Sequence, residues 1–346
     1  MRFPLPSLIS SAKSYLQTSS HFPLRLRTSL HRPVTGSFFQ MAQKSSSVAD
    51  PFQFHPSQSS GSPAVHSFFE RITSTWQYVV SDPATMDAAV IDTVLDYDPS
   101  SGTVSTTTAD EIISFIGKHG LNVKYILETH AHADHLTAAR YYKRKFNAPV
   151  GIGNRITMVQ ETFAPVYGYD SAAFVDAFDL LFKDEEEFKL GSLNCRVIHL
   201  PGHTPDHVGY LIGESVFTGD SIFATDVGSA RADFPGGDAK ALYSSMQRLI
   251  ALPGTYKLFL GHDYPVDRQQ ICVTTVQEQS KSNKHSKKGV SESEFVAFRE
   301  ARDSILGAPR LLHPSLQTNI RGGKLPPRDV DGHLWFKTPI TTTANL

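Results

Sequence analysis

The stretch THAHADH, residues 129–135, brings three histidines and one aspartate together at His130, His132, Asp134 and His135. This density of metal-binding side chains is typical of a metal-binding loop and rare in a packed core. Imidazole suits zinc, iron, copper and nickel, and a carboxylate adds an anionic oxygen. The loop therefore predicts a site for a borderline or hard divalent ion, and not for a soft ion bound by thiolates.

Three further donors follow short apolar runs later in the chain. They are His203 in PGHTPDH, Asp220 in FTGD and His262 in LGHD. Glycine or proline flanks each of them, and a turn of this kind delivers a side chain at the mouth of a sheet. One such histidine alone is more commonly a hydrogen-bonded loop residue. The repeated order of strand, turn and donor predicts that all of them join one metal site.

Strands and helices are predicted around the metal loop. Residues 88–94 (AAVIDTV) and 123–128 are predicted strands, and the second runs directly into the loop. Between them we predict a helix that begins with a capping box of Thr108 and Glu111 and ends at Gly120 in a left-handed cap. Residues 136–145 are a second predicted helix, opened by the metal loop itself.

The order H-x-H-x-D-H, then His, Asp and His, resembles the metallo-β-lactamase superfamily, and the similarity covers most of the chain. The resemblance implies an α/β fold, the four-layered αββα sandwich, with the metal site at one edge of the paired sheets. It also implies two metal positions with Asp220 between them. The first would be lined by His130, His132 and His203, and the second by Asp134, His135 and His262.

The second half of the chain resembles one branch of that superfamily, the persulfide dioxygenases. These are also called sulfur dioxygenases or ethylmalonic-encephalopathy-type proteins, and they have bacterial β-lactamase-like relatives. In that branch a Gly-Arg-x-Asp-Phe element follows the bridging aspartate, and residues 230–234 read ARADF here, with alanine in place of glycine. The stretch LLHPSLQTNIRGGKLP resembles the closing segment of the branch, and not the helical glutathione-binding domain of glyoxalase II.

The resemblance implies an oxidoreductase of hydrogen sulfide catabolism. It would be a non-haem iron-dependent dioxygenase that oxidises the outer sulfur of glutathione persulfide with O2 to sulfite. One Fe(2+) per subunit would be held by His130, His203 and Asp220, which are also the expected catalytic residues. Two histidines and one carboxylate on one face of iron leave open positions for both reactants. The other donors would orient these ligands or hold a second metal, and they are His132, Asp134, His135 and His262.

The expected substrate is a peptide-like dianion, so it needs cationic and hydroxyl side chains near the iron. We expect Arg231, Tyr264 and Thr204 to bind it, with Arg321 as a further candidate. For Arg231 the alternative is a salt bridge to Asp233. The lysine-rich residues 281–288 are interpreted as a solvated insertion in preference to an anion trap.

Two other functions stay open. A glyoxalase II-type hydroxyacylglutathione hydrolase would use two metal ions, zinc or iron, to cleave the thioester S-lactoylglutathione. Two metal equivalents per chain would favour this hydrolase, and one iron would favour the dioxygenase. The third interpretation is a non-catalytic binding module that a metal stabilises. An apo form that keeps its fold, with no turnover of either thiol substrate, would favour the module.

Composition limits the classes of partner. The formal net charge of −1 gives no electrostatic reason to expect nucleic acid. No uninterrupted apolar run of about 18 residues predicts a membrane span. Cys195 and Cys272 are the only cysteines, so no disulfide framework is predicted, and Cys195 is interpreted as a small buried apolar residue. The expected partners are glutathione persulfide and O2, and the expected assembly is a homodimer.

The N-terminal segment differs in composition from the rest of the chain. No acidic residue precedes Asp50, whereas arginine, lysine and serine are frequent. This composition predicts a mitochondrial presequence over residues 1–50 and a matrix location, and a disordered basic tail is the alternative. Met41 is a candidate internal start for a cytosolic form. Residues 51–64 are a predicted linker, and residues 65–346 a single domain with a C-terminal extension from about 276.

Overall fold

The structure is a computed structural model that describes residues 52–342. In chain order its strands are β1 (Phe52–His55), β2 (Ala64–Glu70), β3 (Thr75–Ser81), β4 (Asp87–Ile91), β5 (Val94–Asp98), β6 (Thr103–Ser105), β7 (Asn122–Leu127), β8 (Leu136–Thr137), β9 (Val150–Gly153), β10 (Leu180–Phe182), β11 (Glu187–Leu190), β12 (Leu193–His199), β13 (Val208–Ile212), β14 (Ser215–Phe217), β15 (Lys257–Phe259) and β16 (Val273–Thr275). Its helices are α1 (Thr107–Lys118), α2 (Ala139–Phe146), α3 (Ile156–Tyr167), α4 (Ala239–Ile250), α5 (Val276–Ser282), α6 (Glu292–Asp303) and α7 (Leu312–Asn319).

Two large sheets form the centre of the fold. The first has seven strands in the order β1-β2-β3-β4-β7-β9-β10, and the second has six in the order β11-β12-β13-β14-β15-β16. A small third sheet contains β6, β5 and β8. Strands β4, β7 and β9 run parallel, so the carboxyl ends of β4 and β7 meet at one edge of the first sheet. Ligands of open α/β sheets bind at such an edge.

Alternating side chains along the strands build the layers. In β3, Trp76 and Tyr78 point into the core between the two sheets, whereas Val79 joins the core under α1 and α2. In β15, Phe259 joins the intersheet core, whereas Leu258 packs with α4, α5 and α6 on the outer face of the second sheet. Successive residues of a strand face opposite sides of the sheet, so each sheet packs against the other sheet on one face and against helices on the other. The predicted αββα sandwich is therefore confirmed.

The two predicted strands are present, but the first is shorter than expected. Residues 88–94 divide into the end of β4 and the start of β5, because Asp92 has a left-handed backbone conformation with φ of 52° and ends the pairing. The second predicted strand, 123–128, corresponds to β7 with a shift of one residue at each end. The chain turns sharply at Asp92, beside the metal loop.

The predicted helix is α1, but its predicted capping box is wrong. The Thr108 hydroxyl donates to Asp96 Oδ1 at 2.6 Å, and the Thr108 N–H donates to Asp96 Oδ2 at 2.9 Å. A carboxylate from β5 thus satisfies the first turn. At the other end Gly120 has φ of 63° and the Leu121 N–H donates to the Ile116 carbonyl at 3.1 Å. The predicted left-handed cap is confirmed.

The second predicted helix begins later than the sequence indicates. Leu136 and Thr137 form β8, which pairs antiparallel with β5, and α2 begins at Ala139. The reason is a tertiary contact, since the Thr137 N–H donates to Asn319 Oδ1 at 2.8 Å. A residue from α7 thereby holds the first residues after the metal loop in an extended conformation.

Part of the predicted linker forms a strand. Residues 52–55 are β1, which pairs antiparallel with β2, and the Phe52 ring lies 5.2 Å from that of Phe68. The linker prediction is wrong there, because aromatic contacts hold this segment on the sheet. Residues 1–50, including Met41, lie outside the described part of the chain. From residue 276 onward the chain contributes α5, α6 and α7.

The two cysteines are both buried, and neither forms a disulfide. Cys195 is 1 % exposed and lies in the intersheet core, as predicted. Over residues 52–342 no helix combines the length and the apolar character that crossing a membrane requires.

Candidate metal centre

The predicted donors converge because each follows the carboxyl end of a strand. His130 lies in the loop after β7, and His203 follows β12. Asp220 follows β14 in a short 3-10 turn, and His262 follows β15. Since β14 and β15 run parallel, Asp220 and His262 emerge at the same edge of the second sheet.

The first cluster consists of His130, His203 and Asp220. Each offers a donor atom within 4.8 Å of the others, and His203 Nε2 lies 3.6 Å from Asp220 Oδ2. His130 Nε2 and Asp220 Oδ1 are buried, and neither has a hydrogen-bond partner among residues 52–342. Unsatisfied buried polar atoms are costly. A cation at this position would satisfy both.

Protein atoms fix the far side of both imidazole rings. Thr129 Oγ1 lies 3.0 Å from His130 Nδ1. The Nδ1 of His203 donates to the Arg231 carbonyl at 2.8 Å, which leaves its Nε2 for the cluster. Such outer hydrogen bonds set the tautomer and the ring orientation of metal-binding histidines.

Gly261 allows the backbone to pass directly behind Asp220. A Cβ at Gly261 would lie 2.5 Å from Asp220 Oδ1, which is closer than real Cβ atoms approach. The Gly261 N–H donates to the Gly219 carbonyl at 3.1 Å. Any larger residue at position 261 would displace the carboxylate.

The second cluster consists of His132, Asp134, His135 and His262. His135 Nδ1 lies 3.2 Å from Asp134 Oδ2, and His262 Nε2 lies 3.3 Å from the same oxygen. His262 Nε2 is also 3.5 Å from Asp220 Oδ1. Atoms of His132, Asp134 and His135 lie within 4.8 Å of one another. Asp134 is therefore close to two imidazoles, whereas His132 Nδ1 and His135 Nε2 are buried without a hydrogen-bond partner among residues 52–342.

Two buried carboxylates that the sequence analysis missed hold the metal loop. His132 Nε2 lies 3.1 Å from Asp92 Oδ1 and 3.3 Å from Glu128 Oε2. Asp92 also accepts the N–H of Thr129 at 2.8 Å and its hydroxyl at 2.9 Å. Asp92 follows β4 and Glu128 follows β7 directly. An acid immediately after an apolar parallel strand was the signal that could have identified them.

The motif PGHTPDH contributes two further side chains that sequence reasoning did not single out. Asp206 Oδ2 accepts the Ala131 N–H at 2.9 Å and so anchors the metal loop. The His207 ring stacks on that of His130 with centroids 4.7 Å apart, and its Nε2 accepts the Asp220 N–H at 2.9 Å. The Asp-His pair at the end of the motif was the available signal.

Burial and neighbouring charges separate the protonation states of the site. Burial, reinforced by the nearby His132, lowers the pKa of His130 well below its ordinary value and so favours the neutral ring. For His132 burial opposes the charged form, but Asp92 and Glu128 outweigh it and raise the pKa well above the ordinary value. Burial also opposes ionisation of Asp134, yet His262 and His135 hold its pKa well below the usual range.

The first cluster fits a divalent metal ion. It offers two imidazole nitrogens and one carboxylate, and two of these side chains have a buried atom with no partner in the described structure. This donor set suits both iron and zinc. His130, His203 and Asp220 would hold the ion, and the hydrogen bonds to Thr129 and Arg231 would keep the rings in place.

A cavity of about 550 Å³ opens onto the two clusters. His203, Asp220 and Asp134 contribute to its lining, together with apolar side chains that include Phe223 and Val227. The volume lies within the range of about 300–1,000 Å³ that is typical of small-molecule sites. The cavity can therefore admit a small substrate to the metal-binding side chains.

Two of the predicted substrate-binding residues line this cavity. Tyr264 does so with its ring stacked on His262, at a centroid distance of 5.8 Å. Arg231 also lines it, but its Nε and Nη2 donate to Asp233 at 2.5 and 2.6 Å, and its Nη1 donates to the Gly307 carbonyl at 2.7 Å. The alternative salt bridge is therefore the observed state of the Arg231 side chain.

Thr204 and Arg321 do not line the cavity. Thr204 is fully buried. Arg321 is 5 % exposed, its Nε donates to the Gln317 carbonyl at 3.1 Å, and its guanidinium lies 4.8 Å from the centre of the Tyr169 ring. Both residues are therefore buried in the protein interior and lie outside the lining of this cavity.

Comparison with known proteins agrees with this architecture. The profile of the family described as the metallo-beta-lactamase superfamily matches residues 74–262. A protein named beta-lactamase hydrolase-like protein, from Xylella fastidiosa, is 46 % identical over 80 % of this chain. The match spans 65 % of the length of that relative, so this chain corresponds to about two thirds of it.

Two further similarities extend over most of this chain. Glyoxylase B2 from Dictyostelium discoideum is 45 % identical over 79 % of this chain and 95 % of its own length. The crystal structure of ETHE1 from Myxococcus xanthus superposes with a TM-score of 0.61 at 28 % identity, covering 75 % of this chain and 99 % of that one. From the family match, the shared fold and the donor-bearing strand ends, we conclude that this chain belongs to the metallo-β-lactamase superfamily.

Proposed function

We propose that this protein is a glutathione persulfide dioxygenase that holds one Fe(2+) with His130, His203 and Asp220. The observation that carries the proposal is the convergence of two imidazoles and one carboxylate in the first cluster, where His130 Nε2 and Asp220 Oδ1 are buried without a partner among the described residues. In the second cluster Asp134 already lies close to two imidazoles. Two histidines and one carboxylate leave open positions for two reactants. The resemblance to the persulfide dioxygenases and the similarity to ETHE1 support the proposal.

The proposed reaction converts one persulfide, one O2 and one water into one thiol, one sulfite and two protons. The outer sulfur is oxidised and O2 is reduced. The bond between the two sulfur atoms is cleaved, and the water supplies the third sulfite oxygen. When bound, the iron supplies the redox chemistry, and the protein supplies binding and orientation.

The side chains of this protein have separate tasks in that reaction. Phe223 and Val227 in the cavity wall exclude water from the reacting sulfur. Arg231 acts through its backbone carbonyl, which orients His203, because its side chain is bound to Asp233. Tyr264 is half-exposed in the same cavity and offers its hydroxyl to the substrate.

Oxygen uptake is the experiment that tests the proposal. Purified protein loaded with Fe(2+) is mixed with glutathione persulfide, and O2 consumption and sulfite are measured in the same sample. We expect one sulfite for each O2 consumed, and we expect the Asp220→Ala variant to be inactive. A folded wild-type protein that retains iron and consumes no O2 would overturn the proposal.

A second candidate is a hydroxyacylglutathione hydrolase of the glyoxalase II type. The specific observation in its favour is the additional donor group of His132, Asp134 and His135, whose atoms lie within 4.8 Å of one another. The similarity to the protein named Glyoxylase B2 is consistent with it. Two tightly bound metal ions per chain, with hydrolysis of S-lactoylglutathione and no O2 uptake, would establish this alternative in place of the dioxygenase.

We also propose that residues 1–50 direct the protein to the mitochondrial matrix, on the basis of their composition. N-terminal sequencing of the protein from mitochondrial and cytosolic fractions tests this. We expect a shortened N-terminus in the mitochondrial fraction and a start at Met41 in the cytosol. Products that all begin upstream of Met41 would contradict the cytosolic form.

A further inference from the structure

The cavity above the first cluster is lined by more cations than its acids balance. Its cationic side chains are Arg231, Lys284, Arg299, Arg302 and Arg310. Two of them are already paired. Arg231 is bound to Asp233, and the buried Arg299 is bound to Asp303 at 2.6 Å. These two guanidinium groups are held by protein carboxylates and so are poorly placed to bind another anion.

Lys284, Arg302 and Arg310 differ from that pair, and we call them the cationic collar. Each is exposed, and within residues 52–342 none of them forms an ion pair with a carboxylate. The charge of Asp226 acts on Lys284, but Asp226 itself pairs with Arg268 at 2.8 Å. The collar therefore leaves positive charge without a protein partner at a cavity that leads to the metal-binding side chains.

The backbone of the collar is firmly attached to the site even though its side chains are exposed. The Lys284 N–H donates to the Thr225 carbonyl at 3.1 Å, and the preceding Asn283 donates its amide to the Gly228 carbonyl at 3.0 Å. Arg302 lies on α6 between the paired Arg299 and Asp303. Arg299 donates to the Ala230 carbonyl at 3.1 Å, which fixes the helix to the segment that orients His203.

The acids of the same cavity do not compensate the collar. Asp134 and Asp220 line the cavity, but both belong to the donor clusters, where each lies within 3.6 Å of a histidine nitrogen. An entering molecule with carboxylates would therefore find cationic partners among the collar residues. Arginine binds carboxylates through two parallel hydrogen bonds, and lysine contributes a point charge.

We propose that Lys284, Arg302 and Arg310 bind the carboxylates of the carrier thiol and so select thiols that carry at least two carboxylates, as a tripeptide such as glutathione does. The inference rests on the proposed function, because it assumes that the sulfur end of the carrier reaches the first cluster. It differs from the sequence-based expectation, whose cationic candidates were Arg231 and Arg321 beside Tyr264 and Thr204. Neither of those guanidinium groups is free for this role.

The test pairs a change in the protein with a change in the ligand. Calorimetry measures binding of S-methylglutathione, and of the ester in which its glycine carboxylate is ethylated, to the iron-loaded full chain. The variants are Lys284→Gln, Arg302→Gln, Arg310→Gln and the triple substitution. The matched control is Arg144→Gln, an exposed arginine in the last turn of α2 that does not line the cavity.

For the wild type and the Arg144→Gln control we expect the ester to bind about two- to fivefold more weakly than the acid, as for partly exposed ion pairs. For the triple variant we expect acid binding to fall about tenfold and the ratio between the two ligands to approach one. The added salt that weakens acid binding to the wild type should have little effect on the triple variant.

A triple variant that keeps the wild-type ratio of acid to ester affinity, with an unchanged thermal unfolding midpoint, would overturn the proposed role of the collar. Failure of both ligands to bind the wild type would overturn it as well. Failure of the proposed dioxygenase is a separate result, because S-methylglutathione has no outer sulfur and its binding requires no turnover. A protein that consumes no O2 but shows the expected affinity ratios would support carboxylate binding by the collar and would contradict the proposed dioxygenase reaction.

Discussion

The two donor clusters contain the same residue types, and each has buried atoms without a hydrogen-bond partner in the described chain, but their carboxylates differ in how closely histidines approach them. In the first, His130 Nε2 and Asp220 Oδ1 are buried without a hydrogen-bond partner in the described chain. In the second, His132 Nδ1 and His135 Nε2 are likewise buried without a partner in the described chain, whereas one oxygen of Asp134 lies within 3.3 Å of both His135 and His262. Histidine and aspartate in a suitable order are therefore insufficient to define a metal position. The hydrogen-bond partners of each side-chain atom decide which atoms remain available to bind a metal ion.

The largest expected effect comes from removing a donor of the first cluster. We expect Asp220→Ala to lose its iron and to lower O2 consumption by more than the roughly 100-fold that residues outside the coordination sphere contribute. Metal analysis after desalting and an oxygen electrode measure the two quantities. A variant that keeps one iron per chain would break the distinction between the clusters.

The next effect comes from Asp92, which supports both clusters through Thr129 and His132. We expect Asp92→Asn to weaken iron binding by about 10- to 100-fold. Asp82→Asn is the matched control, because Asp82 is also buried and accepts backbone N–H groups, those of Ala84 and Ser192, away from the site. Both variants should lower the unfolding midpoint, but only Asp92→Asn should change iron affinity in a competitive chelator titration.

A smaller effect is expected in the second cluster. If its members only support the first cluster, Asp134→Asn should retain one iron per chain and lose about tenfold in O2 consumption, the lower end of the range for outer partners. Measured metal content separates the possibilities. A fall from two equivalents to one, together with loss of S-lactoylglutathione hydrolysis, would show that the second cluster holds a metal of its own.

The smallest effect concerns the hydroxyl of Thr129, which lies between Asp92 and His130. Thr129→Val removes one hydrogen bond to the His130 ring. We expect this loss to weaken iron binding by about 1 kcal/mol, which corresponds to roughly fivefold in iron affinity. Thr129→Ser keeps the hydroxyl and should bind iron as the wild type does. Equal losses in both variants would indicate that the methyl group, and not the hydroxyl, matters.

Local patterns were sufficient for much of the fold and for the donors. The cap at Gly120 and the strand that precedes His130 follow from features within a few residues, and the structure has both. The start of α2 could not be predicted in this way, because Asn319 holds Thr137 from a distant helix. The strand break at Asp92 also depends on a partner from elsewhere, since its carboxylate binds Thr129.

Contacts with residues distant in sequence also decide which arginine side chains remain available to a ligand. Arg231 lies in the predicted segment and lines the cavity, but Asp233 and Gly307 occupy its guanidinium. Arg302 and Arg310 carry no sequence motif, and their exposure at the cavity emerges only from the packing of α6 and of the segment between α6 and α7 beside the site. Charge in a sequence gives the number of cations, whereas pairing in the fold gives the number that remain for a ligand.

By itself the sequence determined the types of metal donor, their order along the chain and several strands and helices around them, and its resemblance to the metallo-β-lactamase superfamily implied the layered α/β architecture. The donor types follow from side-chain chemistry, and the strand and helix signals lie among neighbouring residues. The tertiary structure alone decided which nitrogens and guanidinium groups stay unoccupied. The reason is that their partners are distant in sequence: the carbonyl of Arg231 orients His203, and Asp92 binds His132. A hydrogen bond to a remote residue forms only when the fold brings both partners together.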